Sequence, residues 1–96
     1  MYNLKYNLII LGEKMIEIRF EKEKNRSAAY DNDIKIGECD YIVENNVINI
    51  IHTGVNSHYQ GQGIARKLVD CIIENAKVLN MDVTAECSYA KKILNK

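Results

Sequence analysis

The sequence predicts an α+β domain with some α/β character: a mixed, mostly antiparallel sheet of five strands, one main helix and a short C-terminal helix. Stretches of alternating apolar residues, separated by polar turns, fill the first half of the chain, as in an antiparallel sheet. Later an apolar strand, a glycine-containing turn, an amphipathic helix and another strand follow one another, which implies a parallel pair with a right-handed crossover. At 96 residues, the chain forms one domain.

Composition places the chain among globular proteins. Apolar residues make up 47% of the sequence, charged residues 27%, and the net charge is zero, so we expect no nucleic-acid partner. The apolar runs are too short to cross a bilayer and residues 8–11 lack a signal-peptide cleavage site, so no membrane partner is expected. The spacing of Cys39, Cys71 and Cys87 fits no metal site, and we interpret them as reduced thiols of a cytoplasmic protein.

The N-terminal residues fit this pattern poorly. Met15 opens a regular strand pattern, so our interpretation is that residues 1–14 form an extension, and that residues 15–96 form the compact domain. The alternative is a native edge strand at residues 6–11.

Hydrophobic periodicity predicts the first two strands. In the first, Ile16, Ile18 and Phe20 alternate with charged residues, which is typical of a half-buried strand. The second covers residues 27–31 and ends at an Asn-Asp dipeptide, a pair that tolerates turn conformations.

The third strand changes parity part-way along. Its apolar residues are Ile34 and Ile36, followed at the opposite parity by Cys39, Tyr41 and Val43. Because parity decides which face a side chain occupies, a β-bulge near Gly37 and Glu38 would bring both sets to one face. Asn45 and Asn46 then predict a two-residue hairpin turn.

The second half of the chain forms the strand–helix–strand unit. Val47–Val55 is almost wholly apolar until its end, which predicts a central strand covered on both faces. A helix follows to about Asn80, and its apolar stripe consists of Ile64, Leu68, Ile72, Ala76 and Leu79. Residues 81–87 form the fifth strand, and Ser88 would cap a last short helix over residues 89–94.

The turn between the fourth strand and the main helix predicts an anion site. Gly61 and Gly63 carry no Cβ and allow a ligand to approach the backbone closely. The first N–H groups of the helix lack internal partners, so a phosphate or pyrophosphate fits there. The turn lacks the Lys-Ser/Thr of a P-loop, and Arg66 stands where a dinucleotide fingerprint has its third glycine.

The turn also resembles a known signature. Gln60-Gly61-Gln62-Gly63-Ile64-Ala65 is similar to the Gln/Arg-x-x-Gly-x-Gly/Ala motif of the GNAT superfamily of acyl-CoA-dependent N-acyltransferases. His52-Thr53-Gly54-Val55 and Cys87-Ser88-Tyr89 resemble the smallest branch of that superfamily, compact proteins of about a hundred residues. The resemblance covers residues 34–94 and implies a GNAT-like fold.

The resemblance implies acetyl-CoA or coenzyme A as the cofactor. Its pyrophosphate would lie on the backbone of the turn, and its pantetheine arm along the preceding strand. Arg66 and Lys67 would add positive charge at the rim of the site. The implied cofactor-binding residues are Thr53, Val55, Gln60, Gly61, Gln62, Gly63, Ile64, Ala65, Arg66 and Lys67. The alternative is an ordinary strand–helix loop with two glycines.

Three side chains are candidates for catalysis. Cys87 ends the fifth strand and is either an acyl-accepting nucleophile, a pocket-lining side chain or an inert buried thiol; we expect it to line the pocket, because the neighbouring Glu86 would raise its pKa. His52 is either a general base or a hydrogen-bonded histidine near the sheet's end, and parity places it on the same face as Ile50, inward. Tyr89 protonates the leaving thiolate, by resemblance, or packs on the core.

Some features depart from the small branch. Gly54 stands where the branch often has Glu, Ala85 stands where it often has Pro, and the chain ends at Lys96 without an aromatic tail. No part of the sequence can be assigned to the binding of the acceptor. Acidic side chains on the strands, Glu38, Asp40 and Glu44, are expected to be solvated.

The sequence therefore predicts an acyl-CoA-dependent N-acyltransferase that moves an acetyl group from acetyl-CoA to a primary amine, without a metal. The acceptor would be a small molecule or a peptide. The alternative is a non-catalytic acyl-CoA-binding or protein-interaction module. A homodimer is left open.

Overall fold

The computed structural model describes residues 6–11 and 14–95. Among them neither helix has the length and the apolar composition needed to span a bilayer. The elements are strands β1 (Tyr6–Leu11), β2 (Lys14–Glu21), β3 (Arg26–Asp31), β4 (Ile34–Glu44) and β5 (Val47–Val55), helix α1 (Ile64–Val78), strand β6 (Asp82–Ala85) and helix α2 (Ser88–Leu94), with single 3₁₀ turns at Lys22–Lys24 and Ser57–Tyr59.

All six strands form one sheet in chain order. Each neighbouring pair is antiparallel except β5 and β6, which are parallel and are joined through α1. This confirms the predicted α+β class, since the five predicted strands are β2 to β6. The sixth strand, β1, pairs with β2 and corresponds to the edge strand proposed as the alternative for residues 6–11. Residues 1–5 and 12–13 of the predicted extension lie outside the described residues.

Two predicted irregularities of the antiparallel part are present. Ala29 pairs with Gly37 and Tyr30 with Lys35, so Ile36 is an extra residue in β4. This bulge brings Ile36 onto the buried face together with Cys39 and Tyr41, whereas Ile34 and Val43 of the two predicted sets are exposed. At the β4–β5 hairpin both asparagines have positive φ (54° and 63°), as a tight two-residue turn requires.

Helix α1 covers one face of the sheet and forms the core with it. The side chains that meet there include Ile16, Ile18, Phe20, Ile36, Cys39, Tyr41, Ile48, Ile50, Ile64, Leu68 and Ile72. No helix among the described residues covers the opposite face at β5, where Ile51 and His52 are exposed. The prediction that β5 is covered on both faces is therefore wrong for its second half.

The predicted end of the parallel unit needs correction. Strand β6 stops at Ala85 rather than at residue 87, because the N–H groups of Glu86 and Cys87 both donate to Ile50 O (2.9 and 3.2 Å). The chain then turns directly into α2. Cys87, not Ser88, is the N-cap residue of that helix.

Candidate functional site

A cleft opens where β5 extends beyond the end of β6. The last paired residues are Ile50 and Ala85, whereas β5 continues to Val55. The edge of β5 that faced β6 is therefore open over its last residues. In a β–α–β unit, such a crevice at the carboxyl ends of the strands is the usual ligand site.

A second bulge, in β5, decides which side chains face the helices. Tyr41 pairs with Ile50 and Asp40 with His52, so Ile51 is an extra residue. The expected inward position of His52 is therefore wrong. The additional residue reverses the parity, so that His52 points to the open face of the sheet with its side chain 54% exposed.

The main-chain groups of Thr53 and Val55 point into the cleft. Asn56 N donates to Ile36 O on β4 at 2.8 Å. Because main-chain groups alternate along a strand, those of Val55 and Thr53 point away from β4, toward the open edge. The side-chain amide of Gln60 donates to Val55 O (3.0 Å) and connects the strand to the turn.

The open edge and the glycine turn share one pocket of about 400 Å³. Its lining residues are Thr53, Gly54, Val55, Tyr59, Gln60, Gly61, Gly63, Ile64, Ala65 and Tyr89. Of the predicted cofactor residues, Gln62, Arg66 and Lys67 are exposed outside this lining. The Nε of Arg66 lies 3.2 Å from an Asp70 oxygen. Tyr89 remains 39% exposed at the pocket, so it does not pack in the core.

Both turn glycines have backbone conformations that L side chains rarely adopt. Gly61 has φ 77° and Gly63 has φ 83°, and a Cβ at either position would meet no other atom within 4 Å. Gly63 is also the N-cap residue of α1 and offers no capping side chain. The first N–H groups of α1 are therefore left without a side-chain cap at the mouth of the pocket, where they favour an anion.

Tyr59 ties this turn to the antiparallel strands, a role that the sequence analysis missed. Its hydroxyl donates to an Asp31 carboxylate oxygen at 2.5 Å, and Lys14 Nζ lies 4.5 Å from its ring centroid. No local signal connects residue 59 with residues 14 and 31, since the contacts depend on the fold.

The Cys87 thiol lies next to Thr53, on the helix side of the sheet, and is not among the residues that line the pocket. Its Sγ is 3.5 Å from Thr53 Oγ1, and that hydroxyl lies 3.4 Å from Cys39 Sγ. Burial raises the pKa of Cys87, but hydrogen bonds from the backbone N–H of Ala90 and from Thr53 outweigh burial and hold the pKa below its ordinary value. The expectation that Glu86 raises the pKa of Cys87 is therefore wrong.

The other two thiols differ from Cys87. Burial raises the pKa of both Cys39 and Cys71 to about 12. Cys71 packs in the core. Of the three cysteines, Cys87 is therefore the one whose environment favours the thiolate.

A second polar group lies on the opposite face of β5. His52 Nε2 is 3.0 Å from Glu38 Oε2, and Glu38 also pairs with Lys35. The expectation that Glu38 is simply solvated is therefore wrong: its side chain is 24% exposed and engaged at both oxygens. Asp40 lies beside this pair, opposite His52 in the register.

The family of the chain follows from comparison with known proteins. A profile of the family described as GCN5-related N-acetyl-transferase matches residues 19–96. The chain belongs to the GCN5-related N-acetyltransferase (GNAT) family. The match covers all of the cleft and the glycine turn, and it confirms the resemblance predicted from the sequence.

Solved structures agree with this membership. A GCN5-like candidate N-acetyltransferase from Staphylococcus aureus is 36% identical, with a TM-score of 0.62 over 81% of this chain and 76% of that chain. The ribosomal-protein-alanine N-acetyltransferase of Brucella melitensis biovar Abortus 2308 is similar in fold alone, with 15% identity and a TM-score of 0.58 over 83% of this chain and 61% of that chain. A search of curated proteins finds none that matches this GNAT chain.

The turn geometry predicts the effect of Gly63→Ala. A side chain at φ 83° costs about 1–2 kcal/mol of stability, because the left-handed region is strained for L residues. If the turn holds the pyrophosphate of acetyl-CoA, this variant should bind acetyl-CoA about tenfold more weakly in titration calorimetry, since strain at this position moves the first N–H groups of α1.

A matched control separates binding from stability. Asn80 follows α1 at its other end and also has a positive φ of 57°, so Asn80→Ala introduces similar strain away from the pocket. It should lower the melting temperature without weakening acetyl-CoA binding. Equal affinities of wild type and Gly63→Ala would show that the turn does not hold the anion.

The Thr53 hydroxyl predicts a pH effect on Cys87. Thiolate is the form that iodoacetamide alkylates, so the alkylation rate rises with pH through the pKa of Cys87. Thr53→Val removes a hydrogen bond that lowers this pKa, so the midpoint of the rate profile should move to higher pH. Mass spectrometry of the Cys87 peptide gives the rate, and Thr84→Val, on exposed β6, serves as the control. An unmoved midpoint in Thr53→Val would contradict the assignment.

Proposed function

We propose that this GNAT chain is an acetyl-CoA-dependent N-acetyltransferase that transfers the acetyl group to a primary amine. The observation that carries the proposal is that the open edge of β5 and the glycine turn at the start of α1 line the same pocket. A ligand that needs both an anion site and an extended main-chain partner fits this combination.

Acetyl-CoA matches these two features. Its pyrophosphate would bind the uncapped N–H groups from Gln60 to Ala65, with Arg66 and Lys67 as charges at the rim. The amide-containing pantetheine arm would pair with the main chain of Thr53 and Val55 along the open edge. This arrangement brings the thioester to the closed end of the cleft, near the point where β5 and β6 separate.

The chemistry that we propose begins at Cys87. Its thiolate would attack the acetyl carbonyl, the carbon–sulfur bond to coenzyme A would break, and the departing thiolate would take a proton from the Tyr89 hydroxyl, which water then reprotonates. The amine nitrogen then attacks the acetyl carbonyl while His52 accepts its proton, and the Cys87 thiolate leaves. Main-chain N–H groups in the cleft would stabilise the oxyanion in both steps.

Binding and turnover test the function. Saturating acetyl-CoA, at about 100 times its Kd, should stabilise the fold by about 2.7 kcal/mol and raise the melting temperature by about 10 °C. Coenzyme A release should then depend on added primary amines or peptides with free N-termini. Binding without amine-dependent release would favour the non-catalytic acyl-CoA-binding module, which the missing side chain at Gly54 supports. A melting temperature unchanged by acetyl-CoA would exclude both functions.

The covalent step predicts an adduct on Cys87. In acetyl-CoA without an amine, the Cys87 peptide should gain the mass of one acetyl group, whereas Cys39 and Cys71, whose pKa values are about 12, serve as internal controls and stay unmodified. Adding the amine should discharge the adduct, and Cys87→Ala should lose transfer. If no adduct forms and Cys87→Ala keeps its activity, the amine attacks acetyl-CoA directly and Cys87 is not a nucleophile.

A further inference from the structure

Gly54 leaves room for a polar pair on the open face of β5. A Cβ built at this glycine would lie 3.0 Å from His52 Nε2 and 3.2 Å from Glu38 Oε2. The space that a side chain at position 54 would need is therefore partly occupied by a histidine from the same strand and a carboxylate from β4.

Contacts at both carboxylate oxygens hold the Glu38 side chain in one orientation. Its Oε1 accepts a hydrogen bond from Lys35 Nζ, and its Oε2 lies 3.0 Å from His52 Nε2. Burial raises the pKa of Glu38, but the hydrogen bonds from Lys35 and His52 outweigh it and hold the pKa below its usual value. The carboxylate is therefore ionised at neutral pH and accepts hydrogen bonds only.

An acceptor-only partner at Nε2 decides the tautomer of His52. The neutral ring must carry its hydrogen on Nε2, which leaves the lone pair on Nδ1. Nδ1 makes no hydrogen bond within the described part of the chain, and half of the side chain is exposed. Asp40, opposite His52 in the register, adds negative charge that attracts a cationic amine.

The pair and the thiol lie on opposite sides of the same strand end. Thr53 shares its face with Cys39 and with Cys87, whereas His52 and Gly54 share the other face with Glu38. Because Gly54 has no side chain, the imidazole and the carboxylate can meet directly over the strand.

We propose that Glu38 is the positioning residue that holds His52 as the base for the acceptor amine. This inference rests on the proposed function. The ammonium ion first releases one proton to water and attacks as the neutral amine. As the carbon–nitrogen bond forms, the amine nitrogen gives a second proton to His52 Nδ1, and the carbon–sulfur electron pair leaves with the sulfur. Glu38 offsets the charge of the imidazolium that results.

Glu38→Gln tests this role, and Glu17→Gln is a matched control. Glu17 lies on β2 with 28% exposure and pairs with Arg19 at 2.8 Å, so it has similar burial and a cationic partner. In Glu38→Gln, the nitrogen chemical shifts of the His52 ring, measured above its titration range, should show a larger share of the Nδ1–H tautomer. The value of kcat with a diamine should fall about tenfold, with unchanged acetyl-CoA affinity. Glu17→Gln should change neither the tautomer ratio of His52 nor the value of kcat.

A second variant, at a backbone position next to the contact, disturbs the same His52–Glu38 pair. Gly54→Ala places a methyl group 3.0 Å from His52 Nε2 and 3.2 Å from Glu38 Oε2, so the pair must move. We expect the same change of tautomer and a lower kcat. This variant leaves both charges in place, so it distinguishes positioning from charge.

Each outcome decides the inference. Wild-type tautomer populations in Glu38→Gln, or a wild-type kcat despite an altered tautomer, would overturn it. If the wild-type protein binds acetyl-CoA and transfers nothing to any amine, the proposed function fails and the base role fails with it. The ring shifts identify that case separately, because they report the Glu38–His52 contact without turnover.

Discussion

The early end of the β5–β6 pairing is the constraint on which the site depends. Ile50 O accepts two N–H groups in succession, from Glu86 and from Cys87, so β6 cannot continue beside β5. The chain must turn away into α2, and β5 keeps an unpaired edge up to Val55. Since the main-chain groups along this edge are not paired with another strand, the edge is suited to an extended ligand. The same turn brings Cys87 next to Thr53 and Tyr89 to the lining of the cleft.

Two β-bulges, each of one extra residue, decide which side chains lie on each face of the sheet. The bulge at Ile36 places Ile36 in the core together with Cys39 and Tyr41. The bulge at Ile51 then reverses the direction of every side chain that follows it in β5. Thr53 consequently joins the thiols on the helix side, and His52 joins the carboxylates on the open side. A regular β5 would exchange these two sets and separate each from its present partners.

Local charge alone does not explain the titration of the site. Glu86 is next to Cys87 in sequence, yet its carboxylate accepts a hydrogen bond from Asn49, and the pKa of Cys87 is lowered by backbone and hydroxyl donors instead. Glu38 is distant from His52 in sequence and lies 3.0 Å from it in space. In both cases hydrogen bonds that the fold supplies lower a pKa, that of the Cys87 thiol and that of the Glu38 carboxyl group.

The sequence by itself determined the family, five of the six strands apart from the early end of β6, both helices, a bulge close to Gly37, the asparagine hairpin and the glycine turn. These depend on periodicity, turn chemistry and short motifs, which act over a few residues. Only the tertiary structure decided the Ile51 bulge, the Tyr59 contacts, the Glu38–His52 pair and the state of Cys87. A bulge inside a continuous apolar run leaves no periodic signal, because neither parity is distinguished there. The contacts that shift a pKa join residues from different strands, and their distances exist only after folding.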